Sequence, residues 1–180
     1  MALRGGAERL SVKVVLETGR LVLREVDEDD AAFLLELLNS RGFIENIADR
    51  GVRTLEQART WIRERVLDSY ETYGFGMWTV ELKPSGDPIG IAGLLKREGL
   101  EHPDIGYAFL EHAWGQGYAQ EIGAAVLRHA REAFGIGPVC AITTPGNEAS
   151  MAVLRKIGLS YRGMIRVPGF DADSTYFVTP

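Results

Sequence analysis

The chain is poor in the residues that make cross-links and metal sites, with one cysteine, Cys140, and three histidines in 180 residues. A single cysteine excludes an internal disulfide and a cysteine-based metal site, and it agrees with a reducing compartment. His102, His112 and His129 show neither i,i+4 pairing nor a neighbouring cysteine, so no metal is expected. No apolar run approaches the ~18 residues of a membrane span. The opening MALRGGAERLSVKVVL lacks the apolar stretch of a secretory signal, and Glu8 weakens a transit-peptide reading of Arg4 and Arg9. The expectation is a cytoplasmic protein with no membrane partner. An excess of basic charge is also missing. Lys and Arg number 20 against 25 Asp and Glu, for a formal net charge of −5, which argues against a nucleic-acid partner. There is no low-complexity segment, internal repeat or boundary rich in Pro and Ser. The length predicts one domain, and 46% apolar residues are enough for a sizeable core.

What the chain does have is glycine: 21 of 180 residues, against a usual share of ~7%, and most lie outside linker-like tracts. Residues 1–16 read as a flexible leader or an extra strand. Arg20 to Arg24 alternates polar and apolar as a strand does. Asp27 to Asp30 then offer N-cap chemistry for a helix carrying Phe33, Leu34, Leu37 and Leu38. Thr54-x-x-Gln57 is a capping box ahead of a second helix with Leu55, Ala58, Ile62, Val66 and Tyr70. The period then changes. Phe75–Leu82 and Ile89–Leu95 read as a hairpin, and Asp104–Leu110 as a further strand. Gln116–Phe134 is a helix by the spacing of Ala119, Ile122, Val126, Ala130 and Phe134. Val139–Thr143 is a short strand. Asn147–Ile157 is a helix capped by Asn147 and stopped by Gly158. Two strands, Ser160–Val167 and Thr175–Thr179, close the chain. The order β-αα-βββ-α-β-α-ββ predicts a mixed α+β fold, a sheet flanked by helices.

The most informative segment runs from Asp104 to Ala119. A strand leads into Gly115-x-Gly117, which opens a long helix. Small residues there let the backbone approach a ligand, and free N–H groups at a helix start bind phosphate oxygens. A tight packing loop is the plainer reading, and two glycines alone would favour it. No Lys-Ser/Thr follows as in a P-loop, and no three-glycine Rossmann pattern appears. Asn147 is a sufficient helix cap in its own right. The Asp27–Asp30 run is either a solvated helix start or a lure for cationic amines. Cys140, in a short apolar strand, reads as a buried structural thiol.

Tyr107 through Ala119, with Trp114-Gly-Gln-Gly-Tyr-Ala119, resembles the acyl-CoA pyrophosphate loop of the GCN5-related N-acetyltransferase (GNAT) superfamily. Asn147-Glu-Ala-Ser150 followed by Val153-Leu-Arg-Lys-Ile-Gly-Leu159 resembles that family's second CoA element. Thr18-x-Arg20-Leu21-x-Leu23-Arg24 and the order of elements are similar to the branch of ribosomal-protein N-terminal acetyltransferases. The resemblance implies a mostly antiparallel twisted sheet splayed between its fourth and fifth strands, with one acetyltransferase domain over residues 17–180. It also implies acetyl-CoA as cosubstrate and direct transfer to a primary amine, either a protein N-terminus or a small molecule, by a monomer or homodimer. A catalytically silent acyl-CoA-binding module is the alternative.

Carried over residue by residue, the resemblance has Ala108, Phe109 and Leu110 offer backbone groups to pantetheine. The amides of Trp114, Gly115, Gln116, Gly117, Tyr118 and Ala119 hold the diphosphate. Asn147 contacts the pantetheine arm, and Ser150 sits near the thioester sulfur, where it donates to the leaving thiolate or is an ordinary helix-surface serine. Many family members carry a tyrosine acid at the position of Leu154, and this chain does not. Asp104 matches a position where some members carry a catalytic glutamate, so it is the candidate base, acting through water. A strand-end aspartate in a turn is the equal alternative. Glu121 is a second candidate base, for which interaction with the helix dipole is the preferred reading.

Overall fold

The computed structural model describes residues 12–180, so the first eleven residues of the expected leader lie outside the described residues. The described chain runs β1 (Val14–Glu17), β2 (Leu21–Arg24), α1 (Ala31–Leu38), α2 (Arg41–Asn46), α3 (Leu55–Trp61), α4 (Asp68–Tyr73), β3 (Met77–Leu82), β4 (Pro88–Leu95), β5 (Asp104–Phe109), α5 (Tyr118–Phe134), β6 (Cys140–Thr143), α6 (Glu148–Lys156), β7 (Ser160–Ile165) and β8 (Ser174–Val178). These strands form one sheet in the order β1-β2-β3-β4-β5-β6-β8-β7. Every pair is antiparallel except β5–β6, because the α5 crossover returns the chain in the same direction. The mixed α+β architecture anticipated from element order is the one observed.

The two faces of the sheet bury different cores. Leu21, Leu23, Trp78, Val80, Leu94, Ile105 and Phe109 meet Ile122, Val126 and Ala130 of α5 and Leu154 of α6. On the other face Ile91 and Leu110 meet Leu34, Leu37, Phe43, Ala58, Ile62 and Val66. The helix begun by the Thr54/Gln57 capping box continues from Leu55 to Tyr73, through a π-helical stretch at Ile62–Leu67, until Gly74 ends it with φ of 76°. Ala58, Ile62 and Val66 are buried as the spacing predicts, whereas Leu55, in the first turn, is exposed.

A charged cluster fastens the first helices to the sheet. Arg24 of β2 grips both carboxylate oxygens of Asp30 at 2.8 Å and donates from Nε to Glu81 of β3 at 2.6 Å. The side chains of Arg24 and Asp30 are 5% and 3% exposed. Burial works to lower the Arg24 pKa, but hydrogen bonds and the charges of two carboxylates raise it overall, so the guanidinium stays charged. The acidic run of residues 27–30 is therefore structural: Asp27 caps the turn by accepting from the Asp29 amide, Asp30 lies in the cluster, and Glu28 pairs with Arg63 at 2.9 Å. Replacing Arg24 by Ala leaves buried carboxylates without a cation, and such losses cost about 3–5 kcal/mol. Urea unfolding of Arg24→Ala is expected to show a loss of that order, and a midpoint close to wild type would contradict the assignment.

Candidate active site

The site begins where β5 and β6 part. These parallel neighbours are in register at Asp104 and Cys140, where the Cys140 N–H donates to the Pro103 carbonyl at 2.9 Å. Beyond that point the strands separate, and a cavity of about 460 Å³ opens between Tyr107–Phe109 and Ala141–Thr143. The gap is the splay expected between the fourth and fifth strands of the sequence reading.

Strand alternation decides which backbone groups face this gap. The Leu110 N–H donates to the Ile89 carbonyl at 2.9 Å. With Ile91 opposite Ala108, antiparallel alternation turns the Ala108 N–H and C=O toward β4 and those of Tyr107 and Phe109 toward the gap. The expectation that Ala108, Phe109 and Leu110 all offer backbone groups is thus corrected. Leu110 is bonded to Ile89 and lies in the helical core, and Ala108 reaches the cavity without a free backbone group. Phe109 does face the gap, although its carbonyl already accepts the Trp114 indole N–H at 2.9 Å. Its N–H is the group that remains.

At the wide end of the gap lies the glycine loop. Gly115 and Gly117 have φ of 73° and 81°, a left-handed backbone that other residues adopt only with strain. Gly117 caps α5 without any side-chain hydrogen bond, and the first helical bond runs from the Glu121 N–H to the Gly117 carbonyl. The amides of Tyr118, Ala119 and Gln120 therefore lack intrahelical acceptors, at the positive end of a 17-residue helix. Trp114, Gly115, Gly117, Tyr118 and Ala119 line the cavity, as does Lys156, but the Trp114 amide expected to hold the diphosphate donates instead to the Glu111 carbonyl at 3.1 Å. Gln116 does not line it, and its carbonyl instead accepts from Arg20 at 2.8 Å.

That contact belongs to a brace. Glu121 accepts from the Thr18 hydroxyl at 2.6 Å, the Arg20 amide at 2.9 Å and the Arg20 Nε at 2.7 Å. Burial acts to raise the Glu121 pKa, but these bonds and the Arg20 charge hold it below the usual glutamate value. Arg20 also stacks 4.5 Å from the centre of the Tyr118 ring. Glu121 is thus a support for the loop, placed outside the cavity. From the other side, Trp114 packs so tightly on Gly42 of α2 that a Cβ there would come within 2.3 Å of the indole. The Thr144 hydroxyl donates to the Asn46 carbonyl at 2.9 Å. Together these contacts hold α2 across the gap.

On the α6 wall, the Asn147 side chain accepts from the Ser150 amide at 3.2 Å, capping α6, and both residues line the cavity. The Ser150 hydroxyl lies 3.0 Å from the phenol oxygen of Tyr107. Burial pushes the Tyr107 pKa up to about 12, which keeps this phenol protonated. Tyr107 was not singled out in the sequence beyond its place in the motif, because its partner is 43 positions away. Leu154, buried at the position where many family members carry tyrosine, lines the same wall. Tyr161, just past α6, lies against Phe177.

A second cavity of about 620 Å³ lies among α2, the Leu55–Tyr73 helix and the ends of β3 and β4. It shares Phe43, Ile47, Tyr107 and Ala108 with the first, so the two meet beside the Tyr107–Ser150 pair. None of Asp27, Glu28, Asp29 or Asp30 lines either cavity. Nor does Asp104, which corrects its expected place as a base facing the acceptor. Its carboxylate is 3% exposed and accepts from the Arg97 Nε at 2.5 Å, while Oδ1 is buried without a hydrogen-bond partner. Burial raises the Asp104 pKa to about 6 against the opposing pull of Arg97. Cys140, beside it, is also buried, and burial raises its pKa to about 12, as befits an inert thiol. Among the described residues, no group of three or more His, Cys, Asp and Glu is placed to hold a metal ion, and no helix is long and apolar enough to cross a membrane.

Comparison with known proteins gives the same picture. Residues 20–160 match the family model described as an acetyltransferase (GNAT) domain. The Bacillus subtilis protein YkkB is 32% identical over 160 residues, 87% of this chain and 91% of YkkB. RimL, a ribosomal L7/L12 alpha-N-protein acetyltransferase solved with coenzyme A, superposes with a TM-score of 0.79 at 20% identity. That match covers 92% of this chain and 97% of RimL. AAC(6')-Ib with paromomycin and acetyl-CoA superposes with a TM-score of 0.72 at 20% identity, covering 88% and 92% of the two chains.

Two outcomes are expected. The Asp104 carboxyl holds its proton more tightly folded than unfolded, so its contribution to stability is complete below its ordinary pKa of 3.8 and is lost as pH rises through about 6. Thermal unfolding of wild type and Asp104→Asn between pH 4 and 7 is expected to show this fall in wild type and its disappearance in the variant. Glu121→Ala releases Arg20 from the loop, and calorimetry is expected to show CoA affinity reduced about tenfold, about 1.4 kcal/mol, with the far-UV spectrum unchanged.

Proposed function

Since the chain belongs to the GNAT acetyltransferase family, we propose that it carries an acetyl group from acetyl-CoA directly to a primary amine, on a protein N-terminus or a small molecule, where the two cavities meet. The observation that carries this reading is their junction at Tyr107 and Ala108, one cavity ending in uncapped helix amides and the other open to an acceptor. The RimL likeness favours a peptide amine and the AAC(6')-Ib likeness a small one.

The donor set suits acetyl-CoA. A diphosphate needs bare N–H groups and a positive end, which Gly115 to Ala119 at the start of α5 provide. Pantetheine needs an edge to pair with, and the outward backbone of Tyr107 and Phe109 is one. Asn147 and Ser150 flank that edge.

Transfer then requires a neutral amine against the thioester carbonyl. The N–C bond forms as the C–S bond breaks, and the amine's proton passes to water in the acceptor cavity. The Phe109 N–H, which like that of Tyr107 faces the gap, stabilises the developing oxyanion. The departing thiolate is met by the Ser150 hydroxyl. That hydroxyl is oriented by Tyr107, whose raised pKa keeps it a donor. In this reading the Ser150–Tyr107 pair stands in for the tyrosine missing at Leu154. Asp104 acts by positioning Arg97.

Coenzyme A release from acetyl-CoA, followed with a thiol reagent against a panel of amines and peptides, tests the reading. Gly117→Glu is expected to abolish CoA binding in calorimetry while leaving the circular dichroism spectrum unchanged. Tyr107→Phe is expected to lower kcat by about tenfold with little change in CoA affinity. Binding of acetyl-CoA without thiol release from any amine would overturn the transferase assignment for this site.

A further inference from the structure

Resting on that reading, we propose that the acceptor is an amine bearing an oxyanion, a carboxylate or a phosphate, held in the second cavity by Arg50, Arg65 and Arg97. The three guanidinium groups come from separate segments, namely the loop after α2, the π-helical stretch and the turn after β4, and they line one recess. Among the described residues, Arg50 and Arg65 make neither a hydrogen bond nor an ion pair. Among the described residues, Arg97 uses only Nε on Asp104, leaving both terminal nitrogens for a ligand. The Phe170 ring lies 5.5 Å from its guanidinium carbon.

Carboxylates are present in the same recess, but the cations outnumber them, with Arg50, Arg65, Lys96 and Arg97 against Asp49, Glu64 and Asp68. Asp49 is paired with Arg53 at 2.6 Å. Glu64 and Asp68 line the cavity, yet neither pairs with an arginine among the described residues. Burial, with the like charges of Arg97 and Arg65, lowers the Arg50 pKa. Like charges gathered in a recess raise one another's energy, and an entering oxyanion relieves that repulsion through charge-assisted, bidentate bonds. A neutral amine gains nothing from the arrangement, and a polycationic one is repelled.

The test pairs acceptors that differ only in charge: a peptide beginning Ser-Asp-Glu against Ser-Asn-Gln, glutamate against glutamine, and phosphoethanolamine against ethanolamine. The three pairs distinguish a peptide from a small molecule and a carboxylate from a phosphate. With the full chain and acetyl-CoA, kcat/KM is expected to be about tenfold or more higher for the anionic member of at least one pair, and to decline with added salt. In Arg50→Gln/Arg65→Gln that ratio is expected to fall to about one, mostly through KM, while calorimetric CoA affinity shows that the fold is kept. Equal or better use of the neutral members by wild type overturns the proposal and leaves the transferase reading intact. Thiol release from none of the six overturns both. A direct readout is Trp61, which lines the recess. Its fluorescence is expected to respond saturably to glutarate or inorganic phosphate in wild type and not in the double variant. An equal response in both also overturns the proposal.

Discussion

Two strands that are neighbours in the sheet but hold each other at one end only determine this molecule's use of its fold. Where Asp104 meets Cys140 the sheet is closed; a few residues later it is open, and backbone groups that a central strand would normally satisfy are presented to a cleft. The α5 crossover between those strands sets its bare N-terminus at the wide end of the opening. The same departure in strand direction thus supplies both an unpaired strand edge and the positive end of a helix. Neither would exist if β6 had continued alongside β5.

Keeping such a gap open without losing the sheet requires stiff surroundings, and these are largely electrostatic. Arg24 ties β2, β3 and the turn before α1 together in a nearly dry environment. Arg20 and Glu121 bind the first strands to the glycine loop, so the loop's shape depends on residues about a hundred positions away. Arg97 and Asp104 do the same at the closed end of the gap. In each case one arginine serves two elements, and its planar fork is the reason lysine would be a poor substitute.

Much of the fold was legible because its signals are local. The capping box at Thr54 and Gln57, the spacing of Ile122, Val126 and Ala130, and the left-handed glycines at 115 and 117 each depend on neighbours within a few residues. What escaped depends on distance. Helix α2 has six residues, too short for a period to show, and it is held by a tryptophan from another segment. The glycine motif pointed to the loop, but only the hydrogen-bond register shows that Phe109 faces the gap and that Leu110 does not. Asp104 read as a base because the family resemblance aligns it with a catalytic glutamate, and its engagement by Arg97 needs the β4–β5 turn in three dimensions. Arg50, Arg65 and Arg97 lie in three unrelated stretches of sequence, and nothing in any one of them announces the other two.

The two cavities draw on largely different parts of the chain. The first cavity is built mainly from residues 105–156 and the second mainly from residues 43–97, with Phe43, Ile47, Tyr107 and Ala108 as their shared lining. Substitutions along Trp61 to Tyr73 can therefore reshape one chamber without disturbing the loop and helix start that form the other. In a chain divided in this way one chamber can change while the other is kept, and the lining they share at Phe43, Ile47, Tyr107 and Ala108 is the part that answers to both.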